Sequence, residues 1–121
     1  MGQERMRAAI APAYADEVAR LREVGHLSDA DIAAATGAQR STVGAWLRRQ
    51  RRPSGIRAQR VVELSSIVER LAYVIQPSYV PVWLRKPLAA LDDEAPIDLI
   101  RQGDYRRVAK LIGQLEIGSP A

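Results

Sequence analysis

The chain of 121 residues has no cysteine, no phenylalanine, one histidine (His26) and only two lysines. Without cysteine there is no disulfide, no thiolate nucleophile and no cysteine-bound metal. One histidine leaves little material for a metal site or an imidazole base, and no glycine-rich loop of the phosphate-cradling kind is present. No apolar run approaches the roughly 20 residues needed to cross a bilayer. The opening segment, MGQERMRAAIAPAYADE, lacks the apolar core of a signal peptide. The run Asp92-Asp93-Glu94 offers oxygen ligands of the type a divalent cation takes, but consecutive loop acids are read as solvated. The expectation is a small soluble cytoplasmic protein that is not an enzyme and has no cofactor, no metal and no membrane partner.

Clean period-2 alternation is also missing, so the fold class expected is all-α. A chain of this length forms one compact domain or two very small ones, with a modest core that dimerisation would enlarge. What the sequence does have is arginine, and in one place. Seven of the 16 arginines lie between Ala38 and Arg60, a stretch without a single acid. The rest of the chain carries 11 basic and 14 acidic residues. Concentrated positive charge on a nearly neutral body points to a polyanion.

Proline and glycine divide the sequence into helices. Pro12 opens a first helix, with Tyr14, Val18 and Leu21 as its apolar stripe and Gly25 as its left-handed end. Ser28 and Asp31 form a capping-box pattern for a short helix from about Asp29 to Thr36, stopped by Gly37. A second short helix runs from about Gln39 to Arg49, and Pro53-Ser54-Gly55 breaks the chain. The longest helix is expected from Ile56 to Gln76, with Val61, Leu64, Val68, Leu71 and Ile75 at helix-seam spacing. Ser78 is read as the cap of a helix ending at Leu84, and Pro96 to Gly103 as another short one. Asp104 caps a last helix with a Val108, Leu111, Ile112 and Leu115 stripe, closed by Gly118.

The pair of short helices has the spacing of a helix-turn-helix. Ala33 is small where the helices cross, Gly37 makes the turn, and Ile32, Val43, Trp46 and Leu47 fix the angle between them. Gln39, Arg40 and Ser41 then lie at the recognition tip, where side chains meet base edges. Gly44 and Ala45 are the small exposed positions that let the helix approach, Arg48, Arg49, Arg51 and Arg52 are placed for phosphates, and Thr42 can also donate to one. A structural helical hairpin with a solvated arginine tail is the alternative. Trp46 and Trp83 are assigned to the core, and His26 to a surface turn.

The carboxy-terminal stretch, Val82 to Gly118, resembles the toxin-binding domain of the MbcA/ParS/Xre family of antitoxins. The matching features are Trp83-Leu84, Pro87, Leu91, Pro96-Ile97-Asp98-Leu99-Ile100, Gly103-Asp104, Val108 and Gly118. With the Xre-like helix-turn-helix, the resemblance covers nearly the whole chain after residue 12. It implies an antitoxin of a type II pair whose partner is a RES-domain, NAD⁺-depleting toxin, covered at its active-site entrance. It also implies operator DNA as a second partner and repression of its own operon. One departure is that the family often has glycines where this chain has Asp92 and Asp93.

The layout expected is a flexible segment 1–11, a helix-turn-helix domain 12–55, a central helix 56–77 with a homodimer contact, and a toxin-binding unit 78–121. Arginine and tyrosine are frequent binding hot spots, and the candidate toxin contacts are Arg85, Arg101, Gly103, Asp104, Tyr105 and Arg106. The other readings are a stand-alone dimeric regulator without a toxin and an adaptor with a purely structural helix-turn-helix.

Overall fold

The computed structural model describes residues 14–118, so the expected helix start at Pro12 and the segment 1–11 lie outside the described residues. Within them the fold is all-α. Helix α1 spans residues 14–23. It is followed by α2 (Asp29–Thr36), α3 (Arg40–Leu47), α4 (Gly55–Ala72), α5 (Val80–Arg85), α6 (Pro96–Arg101) and α7 (Tyr105–Glu116). Short 3₁₀ turns precede α5 at Pro77–Tyr79 and α6 at Ala89–Leu91. The closest approach to a strand is a single antiparallel bridge between Leu88 and Glu94, which closes the loop after α5.

The capping box expected at α2 is present in full. Ser28 Oγ accepts from the Asp31 N–H at 3.1 Å, and the Asp31 carboxylate accepts from the Ser28 N–H at 3.0 Å. Gly37 ends α2 in the left-handed conformation, φ 77°, with its N–H on the Ala33 carbonyl. The end of α1 differs from expectation. The left-handed residue is His26, φ 56°, and not Gly25. Gly25 is there for room instead: a Cβ would lie 2.7 Å from both the Leu21 carbonyl oxygen and Val68.

The central helix is shorter than expected. It ends at Ala72, because Pro77 forces Gln76 into an extended conformation (ψ 131°) and the intervening residues turn back on the Leu71 carbonyl. Ile75 is therefore off the helix, half-buried on the same core that Val61, Leu64, Val68 and Leu71 enter. Ser78 does not cap α5. It lies inside the 3₁₀ turn, and Pro81 sits in the first turn of α5, where its missing N–H costs nothing. In α1 the buried stripe is Ala15, Val18 and Leu21, with Tyr14 only half-buried. In α7, Val108 and Ile112 are buried, but Leu115 faces solvent.

One contiguous apolar cluster runs from α1 through α7. Trp46 (2% exposed) anchors it under the helix-turn-helix, and Trp83 (8% exposed) anchors it at the carboxy-terminal end. Helix α6 packs on α2 as well as on α4, α5 and α7. The carboxy-terminal helices thus rest on the first helix of the helix-turn-helix.

Candidate functional site

Two surfaces carry the chemistry picked out in the sequence. The first is α3 and the loop after it. Gln39, Arg40 and Ser41 are exposed at the start of α3, which has no side-chain cap. Thr42 is half-buried. Ala45 is a correction: it is buried (8% exposed), on the same side as Val43 and Trp46, and is closed off from any partner. The eight-residue helix buries Val43, Ala45 and Trp46, and the chain after it turns back on the Ala45 carbonyl, so the packed face is wider than an exposed-tip reading allows.

Arg48 folds back along its own helix. Its guanidinium lies over Gly44, 3.1 Å from where a Cβ would stand, and donates to the Gln50 side chain at 3.3 Å. Gly44 therefore makes room for Arg48. Helix α3 ends in a Schellman turn, with the Arg49 N–H on the Trp46 carbonyl and the Gln50 N–H on that of Ala45. The left-handed position of this turn, usually glycine, is Arg49, φ 60°. Its side chain is held by Asp16 at 2.8 Å. Arg51 and Arg52 are exposed in the loop. Arg57 donates to the Gly37 carbonyl at 3.4 Å.

One member of the arginine cluster is not on this surface. Arg60 is buried, paired with Glu63 at 2.8 Å, and reaches the Arg101 carbonyl with its Nε at 3.4 Å. Its guanidinium lies directly under Gly103: a Cβ there would stand 2.7 Å from Nη2. Gly103 is also left-handed, φ 91°, so the turn between α6 and α7 needs glycine on two counts.

The second surface is the carboxy-terminal unit. Arg101, Gly103 and Arg106 are exposed and Asp104 and Tyr105 half-buried around one turn, so these five are neighbours. Asp104 occupies the cap position of α7 but its side chain caps nothing. It faces Arg107 instead, at 3.5 Å. Arg107 also meets Asp92 at 2.9 Å and Glu94 at 3.5 Å. These carboxylates offset the unfavourable placement of a cation in the first turn of a helix. Asp92 and Asp93 both take positive φ, 56° and 63°, so the loop adopts the backbone that glycines would favour, with Asp92 held on Arg107.

Arg85 stands apart from that turn. It donates from Nε and Nη2 to the two oxygens of Asp31, at 2.7 and 2.9 Å. Burial pushes the Asp31 carboxyl up. The hydrogen bond from Arg85, the bonds from Ser28 and the Arg85 charge together outweigh this and hold it below its ordinary value. Another ion pair joins α4 to α7: Arg70 donates to Glu116 at 2.5 Å and lowers its pKa. Sequence reasoning missed these cross-links. Nothing in the helical period of Asp31 or Arg60 signals a partner tens of residues away.

Comparison with known proteins fits this architecture. Residues 79–118 match the model of the antitoxin Xre/MbcA/ParS C-terminal toxin-binding domain. The chain is 32% identical over 96 residues to the mycobacterial cidal antitoxin MbcA of Mycobacterium bovis and of Mycobacterium tuberculosis, covering 79% of this chain and 78% of theirs. A chain in the crystal structure of the M. tuberculosis MbcT–MbcA toxin–antitoxin complex superposes with a TM-score of 0.78 at 29% identity, over 88% of this chain and 96% of that one. The fold, the matched domain and the relatives agree, and the chain belongs to the Xre/MbcA/ParS family of antitoxins.

Proposed function

We propose that this antitoxin binds a RES-domain toxin that depletes NAD⁺ and neutralises it by covering its active-site entrance. The observation that carries this reading is the match of residues 79–118 to a toxin-binding domain, on a chain that superposes on one from a toxin–antitoxin complex. The turn of Arg101, Gly103, Asp104, Tyr105 and Arg106, with Asp104 and Tyr105 half-buried, together with Arg85, supplies the arginine and tyrosine side chains that such contacts favour. The reading extends to repression of its own operon. Gln39, Arg40 and Ser41 would meet base edges, and Thr42, Arg48, Arg49, Arg51 and Arg52 would meet phosphates. Support comes from the exposure of Arg40, Arg51 and Arg52, none of which has an ion pair among the described residues.

The DNA-binding unit in this reading is 12–55, the toxin-binding unit 78–121, and the helix between them the homodimer contact, where Ile56 and Val62 expose apolar side chains. The protein would act in the cytoplasm. Co-expression with the toxin gene beside it tests the first part: a stable complex and protected NAD⁺ are expected. Promoter binding that weakens steeply with salt and exceeds binding to random DNA tests the second. Promoter binding without any toxin complex would favour a stand-alone regulator.

A further inference from the structure

An open cleft of about 660 Å³ separates the recognition tip from the carboxy-terminal helices. Alanines of α2 and the Gly37 turn form its floor, Gln39, Arg40 and Ser41 one wall, and Arg101 the other. Arg101 was grouped above with the toxin contacts, by its place in the sequence. The fold sets it across from α3, because α6 packs on α2 and ends beside the turn of the helix-turn-helix. No carboxylate lines the cleft. Arg101 is half exposed, and its carboxylate contact among the described residues is Asp98 of its own helix, at a loose 3.5 Å. Arg57 adds a third cation beside Gly37.

We infer that Arg101 belongs to the DNA-facing surface and holds a backbone phosphate next to the recognition helix, so that the carboxy-terminal unit contributes to DNA binding. The inference rests on the DNA-binding reading above and goes beyond it. The cleft's chemistry favours a phosphate over a protein partner. Its cations are arginines, suited to phosphate oxygens, and its apolar surface is alanine, too small to anchor a protein hot spot. The bare alanines of α2 also let a phosphate strand pass between Arg40 and Arg101 without a side chain in the way.

Titration of a duplex carrying the promoter region upstream of its own coding sequence, from 50 to 200 mM salt, tests this with wild type, Arg101→Ala and Arg101→Lys. Loss of one phosphate contact per copy bound should weaken Arg101→Ala about fivefold at 0.15 M salt and make its log–log salt slope shallower by about 0.9. Arg101→Lys should keep the wild-type slope. Thermal unfolding should be unchanged for Arg101→Ala, since Arg60 bonds to the backbone carbonyl of residue 101 and not to its side chain. An unchanged salt slope for Arg101→Ala, or a weakened toxin complex with intact DNA binding, overturns the inference. Wild type that binds no duplex removes the DNA-binding reading itself, and is seen before any variant is compared.

Discussion

Asp31 and Arg85, 54 residues apart, form a two-bond ion pair that fastens the start of α2 to the end of α5. The Asp31 carboxylate also closes the capping box on Ser28, so one buried side chain sets the start of α2 and joins it to α5. Arg85 itself is half exposed, which lowers the worth of the pair through solvent screening. Arg85→Ala should cost about 1–2 kcal/mol of unfolding free energy. Asp31→Ala should cost about 1 kcal/mol more, because the cap is lost too. Urea denaturation of both variants checks the order.

Acid should release the same device. The Asp31 carboxyl is lowered in the folded chain, so the native state binds fewer protons than the unfolded one between the two values. Its contribution is complete above the ordinary carboxylate value of 3.8 and is lost as pH falls through the lowered one. Glu116 acts with the same sign through Arg70, but is exposed and adds little. The stability gap between wild type and Asp31→Asn should be constant above about pH 5 and shrink below it. A gap that stays constant as pH falls below the ordinary carboxylate range would contradict the assignment.

Two glycine substitutions separate backbone strain from crowding. Gly37 and Gly103 are both left-handed, but a Cβ on Gly37 meets nothing within 4 Å, while one on Gly103 meets the buried Arg60 guanidinium. Gly37→Ala should cost about 1–2 kcal/mol, the strain alone. Gly103→Ala should cost about 1 kcal/mol more, as Arg60 is pushed from Glu63 and the residue 101 carbonyl. Thermal melts of the two variants give the difference.

Arg49 carries strain where glycine is usual. Arg49→Gly relieves about 1 kcal/mol of left-handed strain and loses an exposed ion pair to Asp16 worth about 0–1 kcal/mol, so stability should change by less than about 1 kcal/mol. Promoter affinity should nevertheless fall, with a shallower salt dependence. A loss of stability with unchanged DNA affinity would make Arg49 a structural residue.

Much of the local structure was legible because its signals are local. Ser28 and Asp31, Gly37, Pro96 and Gly103 mark helix ends through caps and φ angles that need only neighbouring residues. Trp46 and Trp83 read as core from the apolar residues around them. The candidate site was less legible. Ala45 is closed off by packing on α3, Asp104 gives its carboxylate to Arg107, and Arg101 faces the recognition tip only because α6 lies on α2. His26 and Arg49 take left-handed backbones at positions where the sequence offers no glycine. Each of these depends on a partner far away in the chain, or on a turn whose usual residue is absent.

The most direct measurement is NAD⁺ concentration over time with the purified product of the gene beside that of this chain, alone and with increasing amounts of this chain. NAD⁺ loss by the toxin alone, arrested once the antitoxin reaches stoichiometric binding, is the predicted result. A neighbour that leaves NAD⁺ intact, or one that consumes it equally fast in excess antitoxin, would contradict the account.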